Sequence, residues 1–170
     1  MRIAIGSDEK THLTDYVVQE LRRRDLDVQL VGPLEEAADR AGSSAWPDVA
    51  AAVAESVAGG RADSGILFCW TGTGVSMAAN KVPGIRAALC GDAETARGAK
   101  AWNAANVLCL SLRSTTEIVA GEILDAWFST SADPGERENV EKVNKLDERH
   151  RPVANAGAAV SLASGEKGTV

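Results

Sequence analysis

From its first residues to about residue 150, the chain alternates short apolar runs with longer amphipathic stretches, and this limits its fold more than any other feature. RIAIGS (Arg2 to Ser7), Val28 to Val31, Gly65 to Phe68, Arg86 to Leu89 and Val107 to Leu110 read as five strands. Helical stretches run from Leu13 to Arg24, from Pro47 to about Ala58, from Ser76 to Lys81, from Ala93 to Trp102, from Thr115 to Phe128 and from Val140 to Arg149. A parallel strand cannot follow its neighbour through a tight turn, so the chain must cross over through each intervening helix. The expectation is an α/β three-layer sandwich, Rossmann-like, with a five-stranded parallel sheet covered by helices on both faces. Ligands of such sheets bind beyond the carboxyl ends of the strands. The turns Ser7-Asp8-Glu9, Cys69 to Gly74 and Cys90-Gly91-Asp92 should therefore line one rim.

A chain of 170 residues holds one domain and some appendage. The expected domain is 1–150; beyond His150 the composition turns small and polar, so 151–170 reads as a flexible tail. The net charge of -6 and the lack of a basic block disfavour nucleic acid or an anionic membrane as partner. Arg22-Arg23-Arg24 is short and sits where cations suit a helix end. The three cysteines, Cys69, Cys90 and Cys109, have neither metal-ligand spacing nor an even disulfide framework, which suits a reducing compartment. With no leader and no apolar run long enough to span a bilayer, a cytoplasmic location is expected.

The turn after the third strand carries the chemistry. Gly72 and Gly74 allow consecutive amides to point into one concavity, and the helix that follows adds its own N-terminal amides. Such a loop either packs tightly as a structural turn or holds an anion. Cys69, at a strand's carboxyl end beside unpaired amides, stands where a thiol can become a nucleophile or base. An inert buried thiol is the alternative, and it suits Cys109 within the fifth strand best and Cys69 least.

The stretch GILFCWTGTGVSMAANKVPGIRAALC, Gly65 to Cys90, resembles the ribose-5-phosphate isomerase B family, which includes galactose-6-phosphate and tetrose-phosphate isomerases. The Cys-x-Thr-Gly-x-Gly turn followed by Ala-Ala-Asn-Lys carries most of the resemblance. RIAIGSD at the start, WNAANVLCLSLR and EILDAWF extend it over about residues 1 to 150. The resemblance implies an aldose–ketose isomerase that uses no metal and no cofactor. It acts on a small sugar or sugar phosphate, and it works as a homodimer, or a dimer of dimers, with sites between subunits. A base takes the proton beside the carbonyl and donors stabilise the enediolate.

In one branch of the family the base is a cysteine at the position of Cys69, and in the other a glutamate where Val75 stands. Thr71 matches the hydroxyl residue that assists the base. The amides around Gly72, Thr73, Gly74, Val75 and Ser76 match the oxyanion cradle. Asp8 and Asn103 match holders of sugar hydroxyls, and Arg113 an arginine near phosphate. The family places Trp102, Asn103 and Arg113 against a partner's Cys69 turn. Four positions depart from the pattern. Glu9 replaces a phosphate-side histidine, Trp102 a ring-opening histidine and Trp70 a glycine, while Arg137 alone matches one of two expected arginines. Trp102 reads either as helix packing or as part of a changed pocket.

Without a ring-opening group, a substrate that cannot close a furanose, such as a tetrose or tetrulose 4-phosphate, fits, and NVEKVNKLDE (Asn139 to Glu148) resembles the tetrulose-phosphate branch. Glu9 points instead to a non-phosphorylated or amino sugar, stacked on Trp70 or Trp102. A silent sugar-binding homologue is the remaining alternative, since both histidines are missing. A nucleotide-binding domain fits poorly, because GSDEKT lacks the glycine-rich fingerprint.

Overall fold

A computed structural model describes residues 1–35 and 43–150. Residues 36–42, and the tail expected over 151–170, lie outside the described residues. The five expected strands are present as β1 (Arg2–Ser7), β2 (Asp27–Val31), β3 (Ser64–Cys69), β4 (Ala87–Leu89) and β5 (Val107–Ser111). They form one sheet in the order β2-β1-β3-β5-β4, and every pairing is parallel. The order changes direction between β1 and β3, which are paired with Ser7 opposite Phe68. A crevice at such a switch point is where this architecture binds ligands.

Six helices connect and cover the strands: α1 (His12–Arg23), α2 (Trp46–Ala58), α3 (Thr73–Ala79), α4 (Ala93–Asn103), α5 (Glu117–Ser129) and α6 (Arg137–His150). Successive strand residues point to opposite faces. Ile66 and Phe68 of β3 join the core under α1, α4 and α5, with Leu21, Ile123, Leu124 and Trp127. Leu67 and Cys69 join the core under α2 and α3, with Val49, Val53, Val75 and Cys109. Trp127 is fully buried, and its indole N–H donates to Ser64 Oγ at 3.3 Å, so the one polar atom of that ring is satisfied.

Local chemistry sets the helix starts. Thr11 and Thr14 form a reciprocal cap at α1, the Asp92 carboxylate accepts from Thr95 N–H at α4, and Thr116 caps α5. Pro47 sits in the first turn of α2, where its missing N–H costs nothing. Two starts differ from expectation. α3 begins at Thr73, three residues before Ser76, because Gly72 in the left-handed region (φ 75°) turns the chain directly into the helix. α6 begins at Arg137, ahead of Val140, and no residue along it is buried. It is held at the edge of the fold by two polar ties. Gly84 N–H donates to Asp147 Oδ2 at 2.7 Å, and Arg86 Nη1 donates to Asn144 Oδ1 at 3.1 Å.

Candidate active site

The carboxyl rim of the sheet brings together most of the expected site residues. Cys69 ends β3 opposite Ser111 of β5, with its side chain buried on the face covered by α2 and α3. Its carbonyl accepts from Gly72 N–H at 3.2 Å and from Leu112 N–H at 3.0 Å, which ties the turn both to itself and to the neighbouring strand. The next carbonyl, Trp70 O, accepts from Arg113 N–H and from Ser111 Oγ, each at 3.0 Å. Arg113 therefore stands beside the Cys69 turn of its own chain. Ser111 is a further residue of this rim that the motif gave no reason to single out.

Gly72 leaves no room for a side chain. A Cβ there would lie 2.5 Å from Leu89 Cδ1 and 3.0 Å from the Leu110 carbonyl. The tight turn presents the first turn of α3 outward. Gly72 N–H and Ser76 N–H are already spent, on Cys69 O and Gly72 O. The amides of Thr73, Gly74 and Val75 belong to the first turn, where no helix carbonyl is available to them. The expected cradle over residues 72–76 thus narrows to these three. The Val75 side chain is wholly buried in the core, so only its backbone faces a ligand. Ahead of these amides, the Thr71 and Thr73 hydroxyls lie 2.7 Å apart.

Asp8 follows β1 across the crevice. Its Oδ1 is buried and has no hydrogen-bond partner among the described residues. Burial raises its pKa above the ordinary carboxylate value, against the pull of the Asp8 and Glu9 amides, and the nearby Glu9 charge adds to the rise. A buried carboxylate oxygen without a donor is costly unless something supplies one, and a ligand hydroxyl is such a donor. Glu9 itself is exposed, as is Trp70.

The other two thiols are set apart from this site. Burial, with Asp92 nearby, pushes Cys90 up to about 11. Burial raises Cys109 further, against a hydrogen bond with the Ser76 side chain. Both remain neutral thiols at physiological pH.

Trp102 and Asn103 lie at the opposite end of the sheet. α4 starts at the carboxyl end of β4 and runs back, so its last residues precede the amino end of β5. Ala104 closes the helix in the left-handed region, and Asn106 N–H donates to Arg86 O just before β4. Trp102, 58% exposed, lies back along its own helix over Gly98. With Asn103, Arg86 and Val143 it lines a cavity of about 450 Å³. Arg137 opens α6 nearby, in a shallow groove with Glu138 and Glu141. Within one chain none of these three reaches Cys69.

Trp46, the first residue of α2, is absent from the motif yet belongs to the rim, since its indole lies on Gly74. An aromatic residue directly before the helix-starting Pro47 was the available signal. Among the described residues, no group of His, Cys, Asp or Glu side chains is gathered to hold a metal ion, and no helix is long and apolar enough to cross a membrane.

Comparison with known proteins points the same way. A family model described as Ribose/Galactose Isomerase matches residues 3–146. Ribose-5-phosphate isomerase B of Escherichia coli is 39% identical over 61% of this chain and 70% of its own. D-erythrulose-4-phosphate isomerase of Pectobacterium atrosepticum is 34% identical over 89% of this chain and 98% of its own. The structure of ribose-5-phosphate isomerase B from Clostridium thermocellum superposes with a TM-score of 0.79 at 34% identity, covering 88% of this chain and 99% of that one.

Proposed function

The chain belongs to the ribose/galactose isomerase family and is an aldose–ketose isomerase of sugar phosphates; from that premise we propose that it acts on a tetrulose or pentulose phosphate with Cys69 as the base. The observation that carries this reading is the position of Cys69 at the β1/β3 switch point, on the rim that also carries Asp8, whose Oδ1 has no partner among the described residues, and the first-turn amides of α3. In the ketose-to-aldose direction, Cys69 Sγ takes a proton from C1, and the electron pair delocalises onto the carbonyl oxygen. The resulting enediolate recovers the proton from Cys69 at C2, while the O1 hydroxyl proton passes to O2, which leaves the aldehyde at C1. Its oxyanion is met by the amides of Thr73, Gly74 and Val75, which need no reorganisation to receive it. The Thr71 and Thr73 hydroxyls assist the base and the oxyanion. Asp8 Oδ1 accepts from a sugar hydroxyl, and Arg113 supplies positive charge for the phosphate.

Tetrulose 4-phosphate is the favoured substrate. Trp102 occupies the ring-opening position, and an indole N–H cannot titrate near neutrality. A four-carbon 4-phosphate cannot close a furanose, so it needs no such group. The likeness to D-erythrulose-4-phosphate isomerase over nearly the whole of that protein supports this choice. The reading includes a homodimer, in which Trp102, Asn103 and Arg137 of one copy complete the Cys69 rim of the other. The exposed Trp70, Met77 and Leu89 near the turn support such a contact.

The test is solvent deuterium exchange at the carbon beside the carbonyl, measured on tetrose, pentose and hexose sugars with and without phosphate. Exchange on tetrose or pentose phosphates is expected. Exchange confined to non-phosphorylated sugars would favour the reading suggested by Glu9, which sets a second carboxylate at the Asp8 turn. No exchange on any of them would leave a silent sugar-binding homologue.

A further inference from the structure

α2 lies across β1 and β3, the two strands that flank the switch point, and packs against α3. It runs antiparallel to the strands, so its first residue, Trp46, stands over the carboxyl rim. A tryptophan beginning a helix on a core-covering face would be expected to bury its ring, yet Trp46 is 42% exposed. Its indole is laid flat against the first turn of α3. A Cβ on Gly74 would meet ring atoms Cε3, Cδ2 and Cζ3 at 3.1–3.3 Å. Only glycine lets the ring settle this close to the backbone. Gly74 carries one of the three amides left without a helix partner, and Cys69 points to the same face of the sheet. The ring therefore stands at the same rim, and on the same face of the sheet, as Cys69 and these amides.

We infer that Trp46 is a specificity-determining residue of the Cys69 site, whose indole forms the wall along which the carbon chain of the sugar phosphate lies. The inference rests on the Cys69 rim being the substrate site. The apolar C–H face of a sugar chain suits an aromatic face, and such contacts typically change affinity by about 2- to 10-fold. A rigid ring seated on Gly74 also limits the length of chain the crevice admits, so Trp46 favours four carbons over five.

The experiment measures calorimetric binding of tetronate 4-phosphate, whose planar carboxylate mimics an enediolate and which cannot be turned over, to the full chain. In wild type, Trp46→Phe and Trp46→Ala, the dissociation constant should rise about 10-fold for Ala and stay within about 3-fold for Phe. The tetrose-to-pentose phosphate ratio of kcat/KM should fall in Trp46→Ala. Gly74→Ala, which must push the ring aside, should lower the same ratio. Binding by Trp46→Ala within about twofold of wild type overturns the inference, as does equal weakening of Phe and Ala together with lowered melting temperatures. Failure of wild type to bind the acid also overturns it. Wild type that binds the acid in a Trp46-dependent way without exchanging any sugar proton sinks the Cys69 reaction and leaves the wall standing. Exchange with Trp46-independent binding does the reverse.

Discussion

The two ends of the sheet hold the two halves of the expected site, and they are built differently. At the carboxyl end, Cys69, the α3 amides and Arg113 are fixed by backbone hydrogen bonds to adjacent strands, and Asp8 is sunk beside them with an unmet oxygen. At the amino end, Trp102, Asn103 and Arg137 are exposed side chains on helix ends, with a cavity beside the first two. The first group is held in place by the backbone of its own chain. The second makes no contact with the Cys69 turn of its own chain. A sheet rim supplies preorganised chemistry, whereas the helix ends supply groups that become useful only when another surface faces them.

The sharpest way to break this contrast is to remove the rim's base. Cys69→Ala should reduce solvent exchange at least ~100-fold, as expected for loss of a general base. Cys109→Ala, on the same face, should leave exchange intact and cost about 1–2 kcal/mol in denaturant unfolding through lost packing. Equal exchange in wild type and Cys69→Ala would move the chemistry away from the rim.

A second test joins the two ends. Cys69→Ala and Asn103→Ala are each expected to be nearly inactive alone. Refolded as an equal mixture, they should regain about one quarter of wild-type activity, because half of the dimers are mixed and each has one intact site. No recovery would show that the amino-end group belongs to no shared site.

Trp102→His sharpens the comparison further. It restores a titratable donor at the amino end, and kcat/KM for ribose 5-phosphate should rise several-fold relative to erythrose 4-phosphate. An unchanged ratio would show that ring opening is handled elsewhere.

The smallest effect concerns stability at the rim. The Asp8 carboxyl has its pKa raised by burial, so its folded form favours the proton. Its contribution to stability is present below the ordinary carboxylate range and is lost as pH rises through the raised value. Asp8→Asn should therefore raise the melting temperature at neutral pH by at most about 3 °C while weakening binding. A lower melting temperature would mean that Oδ1 has a partner in solution.

The sequence made the rim legible because its signals are local. A strand, a cysteine and two glycines within six residues specify a turn with a particular reach, and Cys69 to Gly74 adopts it. The start of α3 was misplaced by three residues because the left-handed Gly72 caps the helix, a role that composition alone does not separate from loop glycine. That Arg113 lies beside Trp70 in its own chain is hidden from the sequence, because β5 lies beside β3 although three elements separate them along the chain. The contact of Trp46 with Gly74 is hidden for the same reason, since it joins two helices across an intervening strand. The periodicity of α6 is helical, yet Val140, Val143 and Leu146 are not buried. Period reveals that a face is apolar, not what it meets.

That helix has a thermodynamic consequence. Its apolar residues are half open to water, and among the described residues two polar ties help to hold it to the domain, so much of its possible burial energy is unrealised within one chain. If association covers that face, protein concentration becomes a stability variable in its own right, through mass action. Dilution would then loosen the last helix before the sheet melts, and with it Arg86 and the floor of the cavity beside Trp102. Enzyme abundance would set not only how many catalysts a cell has but what fraction of them is competent.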